Sequence, residues 1–166
     1  MKKKICLVGD FSVGKTSLTQ QFVNQIFSEK YLTTVGVKID TKEMVVDEKE
    51  LKMVVWDVAG RDSLSPLNAA YLIGAAGFLL VIDGTRYDTV QSAQSLVDTV
   101  VNKVGDIPFV VLVNKHDLQE QWAFRENDRE DFEARGWQVM TSSAKTGENV
   151  ELAFESLAKK ILGISK

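Results

Sequence analysis

One cysteine, one histidine and two prolines are spread over 166 residues. A single thiol, Cys6, cannot form an intramolecular disulfide, so the fold must be held by its core, and a reducing, cytoplasmic setting is expected. Cys6 falls in an apolar run and reads as a small buried hydrophobe. No apolar run approaches the roughly 20 residues that a membrane span requires. The longest are Phe78-Leu79-Leu80-Val81-Ile82 and Phe109-Val110-Val111-Leu112-Val113. The first residues lack the apolar core of a secretion signal. The end, Gly163-Ile164-Ser165-Lys166, carries no cysteine to prenylate, so no covalent membrane anchor is expected in this chain. Positive charge is not in excess either: 20 Lys and Arg stand against 23 Asp and Glu, a formal net charge of -3. That balance argues against broad nucleic-acid binding, which needs a basic surface. The one basic tract, Lys2-Lys3-Lys4, reads as a solubilising chain start. No internal repeat or low-complexity linker breaks the sequence.

What remains is an ordinary composition, 45% hydrophobic and 26% charged, in a length that makes a single domain over residues 1–166. Apolar runs and amphipathic stretches alternate. Strands are expected at 4–8, 37–46, 51–57, 77–83, 109–113 and 137–141, with helices at 15–25, 66–73, 88–104, 128–135 and 149–162. The segments 37–46 and 51–57, joined by the charged residues 47–50, read as an antiparallel hairpin. Ser65-Pro66 supplies an N-cap and a first-turn proline for the helix over 66–73. Val90, Ala93, Val97, Val100, Val101 and Val104 make one apolar stripe; Val150, Phe154, Leu157, Ala158 and Ile161 make another. Alternation of this kind builds an α/β fold, a six-stranded, mostly parallel sheet with one antiparallel edge strand and helices on both faces.

The stretch most charged with chemistry is Gly9-Asp10-Phe11-Ser12-Val13-Gly14-Lys15-Thr16, which fits G-x-x-x-x-G-K-[ST] at every fixed position. Successive backbone N–H groups between two glycines can wrap a polyphosphate, because glycine permits the backbone angles and the close approach that such a loop needs. Lys15 would reach the β and γ phosphates, and the Thr16 hydroxyl would hold a Mg2+ ion. A strand before the loop and a helix beginning at Lys15, with Ser17 in its first turn, aim the helix N-terminus at the phosphates. In an open parallel sheet ligands gather beyond the carboxyl ends of the strands. Trp56-Asp57-Val58-Ala59-Gly60, Asn114-Lys115-His116-Asp117 and Ser142-Ser143-Ala144-Lys145 all fall at such ends.

The ordered set of the G-x-x-x-x-G-K-T loop, Thr34 after the first helix, W-D-x-A-G, N-K-x-D and S-A-K resembles the Ras superfamily of small GTPases over essentially the whole chain. Val35-Gly36-Val37 after Thr34, together with Trp56, is most similar to its Rab branch. The resemblance implies a P-loop NTPase fold and a molecular switch that binds GTP or GDP with Mg2+ and slowly hydrolyses GTP. It implies that Asp117 takes the two donors on the guanine edge and that Asn114 holds the loop and the base. Lys115 would lie along the ring, and Ser143, Ala144 and Lys145 would close the pocket. Phe27 falls where the family sets an aromatic edge against the base, with a hydrophobe that merely ends the first helix as the alternative. Mg2+ would be held by Thr16, by Thr34 when a γ phosphate is present, and by Asp57 through water. Two loops, 29–37 and 57–73, would present themselves to effector proteins in the GTP state. An exchange factor and a GTPase-activating protein are the implied regulators. An adenine-nucleotide kinase on the same phosphate loop is disfavoured by Asp117.

Two positions depart from the family pattern. Arg61 follows Gly60 where most members carry the glutamine that positions the attacking water, and Phe11 fills a phosphate-loop position usually given to a small residue. Three roles for Arg61 stay open: a partner supplies the missing group, the guanidinium stabilises the developing charge in cis, or the residue is solvated and hydrolysis is negligible. In the last case the protein is a GTP-loaded interaction module. Phe11 would crowd an arginine finger inserted by a partner. His116, at the free position of N-K-x-D, reads as a surface loop residue with no nucleophile beside it. Trp122 and Phe124 read equally as a lid over the loop or as a partner contact, and Trp137 as core at the start of the last strand.

Overall fold

The computed structural model describes residues 1–10, 12–24, 37–58 and 70–164. Six strands form one sheet in the order β2-β3-β1-β4-β5-β6: β1 (Lys2–Gly9), β2 (Val37–Val46), β3 (Lys49–Val58), β4 (Gly77–Asp83), β5 (Phe109–Asn114) and β6 (Val139–Thr141). All neighbouring pairs are parallel except β2 with β3. The helices are α1 (Lys15–Asn24), α2 (Tyr87–Gln91), α3 (Ala93–Val104), α4 (Glu126–Ala134) and α5 (Val150–Leu162). None of the described helices is long and apolar enough to cross a membrane.

Period two in the central strands sorts their side chains onto two faces. Ile5, Leu7, Leu79, Val81, Val110 and Leu112 point to one side and meet Leu18 and Phe22 of α1 and Phe154 and Leu157 of α5. Phe22 and Phe154 stack with centroids 3.8 Å apart. Cys6, Val8, Phe78, Leu80, Ile82, Val111 and Val113 point to the other side and meet Val97 and Val100 of α3 and Phe132 of α4. Every residue of β4 is buried, as a strand covered on both faces must be. The Cys6 thiol is inert by the same cause: burial pushes its pKa up to about 11.

Several expectations shift. The hairpin turns on two residues, not four: Asp47 and Glu48 both take positive φ, 50° and 67°, the handedness that matches the twist of the flanking strands. Pairing therefore resumes at Val46 with Lys49. The helix expected over 88–104 is two, divided at Ser92, where the Asp88 carbonyl accepts both the Ser92 N–H at 3.1 Å and the Ser92 hydroxyl at 3.0 Å. Of the helix expected over 66–73, residues 66–69 lie outside the described residues and Ala70–Leu72 form one 3-10 turn. The basic start is not a loose solubilising tail. Lys2 pairs with Lys52, and the Lys4 ammonium sits 3.7 Å over the Trp56 ring and donates to the Ile73 carbonyl at 2.7 Å. The last strand begins at Val139, and Trp137 packs just before it against Phe109 and Phe132, as core.

Candidate functional site

Because β1, β3, β4, β5 and β6 run parallel, their carboxyl ends share one edge of the sheet, and the loops that leave them meet there. Phosphate-loop geometry follows from two backbone positions: Ser12 has φ 64° and Gly14 has φ 106°. Val13 between them is fully buried and pins the loop to the core. The Gly14 carbonyl accepts from the Leu18 N–H at 2.9 Å, opening α1 directly out of the loop. The first-turn N–H groups of Lys15, Thr16 and Ser17 therefore begin at the loop, where an anion is favoured.

Lys15 is 5% exposed, and its ammonium donates to the Gly9 and Asp10 carbonyls at 3.1 and 3.0 Å. Burial lowers its pKa, opposed by the negative charges of Asp57 and Asp10. Asp57 is fully buried at the end of β3 and accepts the Thr16 hydroxyl proton at 2.5 Å through Oδ2. Its other oxygen, Oδ1, has no hydrogen-bond partner among the described residues. Burial raises the Asp57 pKa, against the Thr16 hydrogen bond and the charges of Lys15 and Lys38. A carboxyl whose folded pKa lies above its unfolded value weakens the fold at neutral pH, and the cost is relieved as pH falls through the folded pKa. A buried, half-satisfied carboxylate beside a threonine hydroxyl at the phosphate loop is a donor set that suits a small hard cation. The residues present thus fit Mg2+.

Asn114, 1% exposed, joins three loops. Its Nδ2 donates to the Val13 carbonyl at 3.0 Å and its Oδ1 accepts from the Ser142 hydroxyl at 3.1 Å. Lys115 takes φ 71° and reaches across the phosphate loop to the Ser12 carbonyl at 3.0 Å, with its ammonium also 3.0 Å from Asp83 Oδ2. The second contact is an ion pair without hydrogen-bond alignment, since Oδ2 has no hydrogen bond. Asp117 Oδ1 accepts from the Ser143 hydroxyl at 2.7 Å, and the Ser143 oxygen in turn accepts from the Thr146 N–H at 3.1 Å. The Ala144 carbonyl is held by Gln21 of α1 at 3.0 Å, while Lys145 stands exposed at the rim. The structure thus brings together Gly9, Asp10, Ser12, Val13, Gly14, Lys15, Thr16, Ser17, Asp57, Asn114, Lys115, Asp117, Ser143, Ala144 and Lys145 along one sheet edge. Phe11, Phe27, Thr34, Gly60 and Arg61 lie outside the described residues.

Two features of this edge, Asp83 and the partner of His116, are not legible as site elements, and a third, Trp122, decides between open alternatives. Asp83 is fully buried at the end of β4, where it accepts from the Thr85 N–H and hydroxyl at 2.9 and 2.6 Å while facing Lys115. Its signal was present, a carboxylate closing an apolar strand at the ligand-bearing end. His116 is a partly exposed loop residue, as expected, but its side chain is engaged: Nδ1 lies 2.9 and 3.0 Å from the two carboxylate oxygens of Glu148. No local pattern announces a pair 32 residues apart. The Trp122 ring fills the space over Gly84, where an added Cβ would meet it at 2.2 Å, and it packs 4.8 Å from the His116 ring. Trp122 is thus a lid over the Gly84 turn, whereas Phe124 is buried core. Gly84→Ala is expected to destabilise the fold by about 1–3 kcal/mol, because the large ring has to move, and urea denaturation measures it.

The Ras family's sequence model matches residues 4–163. The chain is similar to the Ras-related protein Rab7 of Drosophila melanogaster, with 37% identity over 173 aligned positions covering 96% of this chain and 80% of that one.

Proposed function

The chain belongs to the Ras family and is a Rab-like small GTPase that binds guanine nucleotides; from that premise we propose a Mg2+-dependent switch that hydrolyses GTP slowly and signals through two loops. The observation that carries the reading is the Asn114 bridge. One amide ties the phosphate loop at Val13 to the base-reading loop and to Ser142, so that the distance between base and phosphates is built into the fold.

In this reading the loop N–H groups from Ser12 to Thr16 cradle the phosphates, and Lys15 leaves the Gly9 and Asp10 carbonyls for the phosphate oxygens. Asp117 is held by Ser143 so that its free lone pairs face the two donors of guanine. The Ala144 backbone and Lys145 close the pocket. Thr16, Asp57 and, in the GTP state, Thr34 hold Mg2+, which when bound neutralises phosphate charge and orients the nucleotide. Thr34 and Gly60 would meet the γ phosphate, so the segments 29–37 and 57–73 respond to its loss and carry the message to effectors. A buried Lys15 with lowered pKa beside a buried Asp57 with raised pKa supports this, since a nucleotide with its cation relieves both. Adding millimolar Mg2+ to the GDP complex is expected to raise the Tm by several degrees, and Asp57→Ala is expected to abolish that increment; differential scanning fluorimetry checks both.

Hydrolysis is slow in this reading because Arg61 replaces the water-positioning glutamine. Arg61→Gln is expected to accelerate single-turnover GTP hydrolysis several-fold. Slower turnover in that variant would assign Arg61 a charge-stabilising role in cis. The second reading, a GTP-loaded interaction protein, rests on the same arginine and requires that GTP carried through purification never decay.

A further inference from the structure

We propose that His116 and Glu148 form a clamp that positions Asp117, making both of them specificity-determining residues for the guanine base. The inference rests on the base-pocket reading above. His116 is the residue immediately before Asp117, and its backbone N–H donates to the Ser142 carbonyl at 3.0 Å. Its ring nitrogen Nδ1 meets both oxygens of Glu148, at 2.9 and 3.0 Å. A carboxylate can only accept, so Nδ1 carries the proton in this contact. Glu148 is fixed from its other side by the Thr141 hydroxyl, which donates to Oε2 at 3.0 Å, and its backbone carbonyl accepts from the Ser143 N–H at 3.2 Å. The Trp122 ring closes the remaining side of the imidazole.

This arrangement adds a side-chain link between two loops that also meet through Asn114 with Ser142, the His116 N–H with the Ser142 carbonyl, and Asp117 with Ser143. The loop after β5 carries Asp117, and the loop after β6 carries Ser143, the hydroxyl that holds Asp117 Oδ1. The clamp fixes how far apart those loops stand, and so how squarely the Asp117 carboxylate faces the base. Neither clamp side chain need touch nucleotide: His116 and Glu148 act through Asp117 and Ser143. They are positioning residues.

The prediction is chemical as well as structural. Guanine offers Asp117 two donors, N1–H and the 2-amino group, whereas hypoxanthine offers only N1–H. A carboxylate held square exploits both, and one that rocks loses the advantage of the second. The experiment measures dissociation constants of fluorescent GDP and IDP for the full chain and for His116→Ala, Glu148→Gln and His116→Asn. In His116→Ala and Glu148→Gln the preference for GDP over IDP is expected to fall at least fivefold. His116→Asn retains an N–H close to the Nδ1 position and is expected to recover most of the preference. If both constants weaken together and their ratio stays within twofold of wild type, the residues merely stabilise the loops and the proposal is overturned. Glu148→Gln keeps size but turns one of the two acceptor oxygens into a donor, so that the terminus no longer accepts from His116 and Thr141 through both oxygens, and it decides the matter should His116→Ala fail to fold. A wild-type protein that binds IDP as tightly as GDP would instead overturn the Asp117 reading itself, and the clamp with it.

Discussion

Asp117→Asn is expected to exchange guanine for xanthine. One oxygen of the Asp117 carboxylate is engaged by the Ser143 hydroxyl at 2.7 Å, and in the proposed base pocket the remaining acceptor capacity would face the base. Asparagine can keep the Ser143 hydrogen bond through its carbonyl oxygen, but its other terminus becomes a donor pointed at the donors of guanine. Xanthine carries a carbonyl at position 2 and accepts from that amide. A site built to pair polar groups rejects a mismatched partner far more strongly than an apolar pocket rejects a methylene, because the unpaired groups are desolvated for nothing. GTP affinity is therefore expected to fall by on the order of 10³-fold, about 4 kcal/mol, while xanthosine triphosphate affinity rises above it. Competition binding against a fluorescent guanine nucleotide reads both shifts. A variant that loses both nucleotides equally would point to a collapsed loop and not to a rewritten base contact.

Gly14→Ala is expected to remove nucleotide binding and to cost more stability than either Gly84→Ala or Gly136→Ala. Two effects coincide at this position. The backbone takes φ 106°, and a Cβ would stand 2.3 Å from Asn114 Nδ2. Asn114 has nowhere to retreat, since it is 1% exposed and both ends of its amide are engaged, with Val13 and Ser142. Positive-φ strain of about 1–2 kcal/mol then adds to about 1–3 kcal/mol for each buried hydrogen bond left unmade. The Tm is expected to drop by on the order of 10 °C. Gly136→Ala supplies the control, because Gly136 has φ 87° but open space where its Cβ would go, so only the strain should appear. If the two variants melt alike, the Asn114 contact contributes little.

The architecture was readable because its signals are local. The runs 77–83 and 109–113 have the length and apolarity of strands buried on both faces, and β4 and β5 occupy that ground. The site was readable because its motifs are fixed in spacing and fall at strand ends that a parallel sheet must bring together; Thr16 and Asp57, 41 residues apart, meet through one hydrogen bond. The remaining features depend on partners chosen by the tertiary fold. Ser92 stands at the division of a helix with its N–H and hydroxyl both on the Asp88 carbonyl, yet a serine so bonded often leaves a helix intact. Asp47 tolerates a left-handed conformation, but Glu48 accepts one against its own preference because the pairing of β2 with β3 demands it. Lys4 looked like a solubilising residue until Trp56 supplied a ring for its ammonium. Nothing beside His116 in the sequence signals Glu148, which reaches it from the next loop.

The central claim is a guanine-nucleotide switch that turns itself off slowly, and single-turnover decay of GTP loaded one-to-one with Mg2+ tests it most directly. Bound GTP is expected to convert to bound GDP at about 10⁻⁴ s⁻¹ or somewhat slower, in keeping with a Ras-family site that lacks its glutamine. GTP that remains intact on the protein for days, or that ATP displaces at equal concentration, would contradict the account.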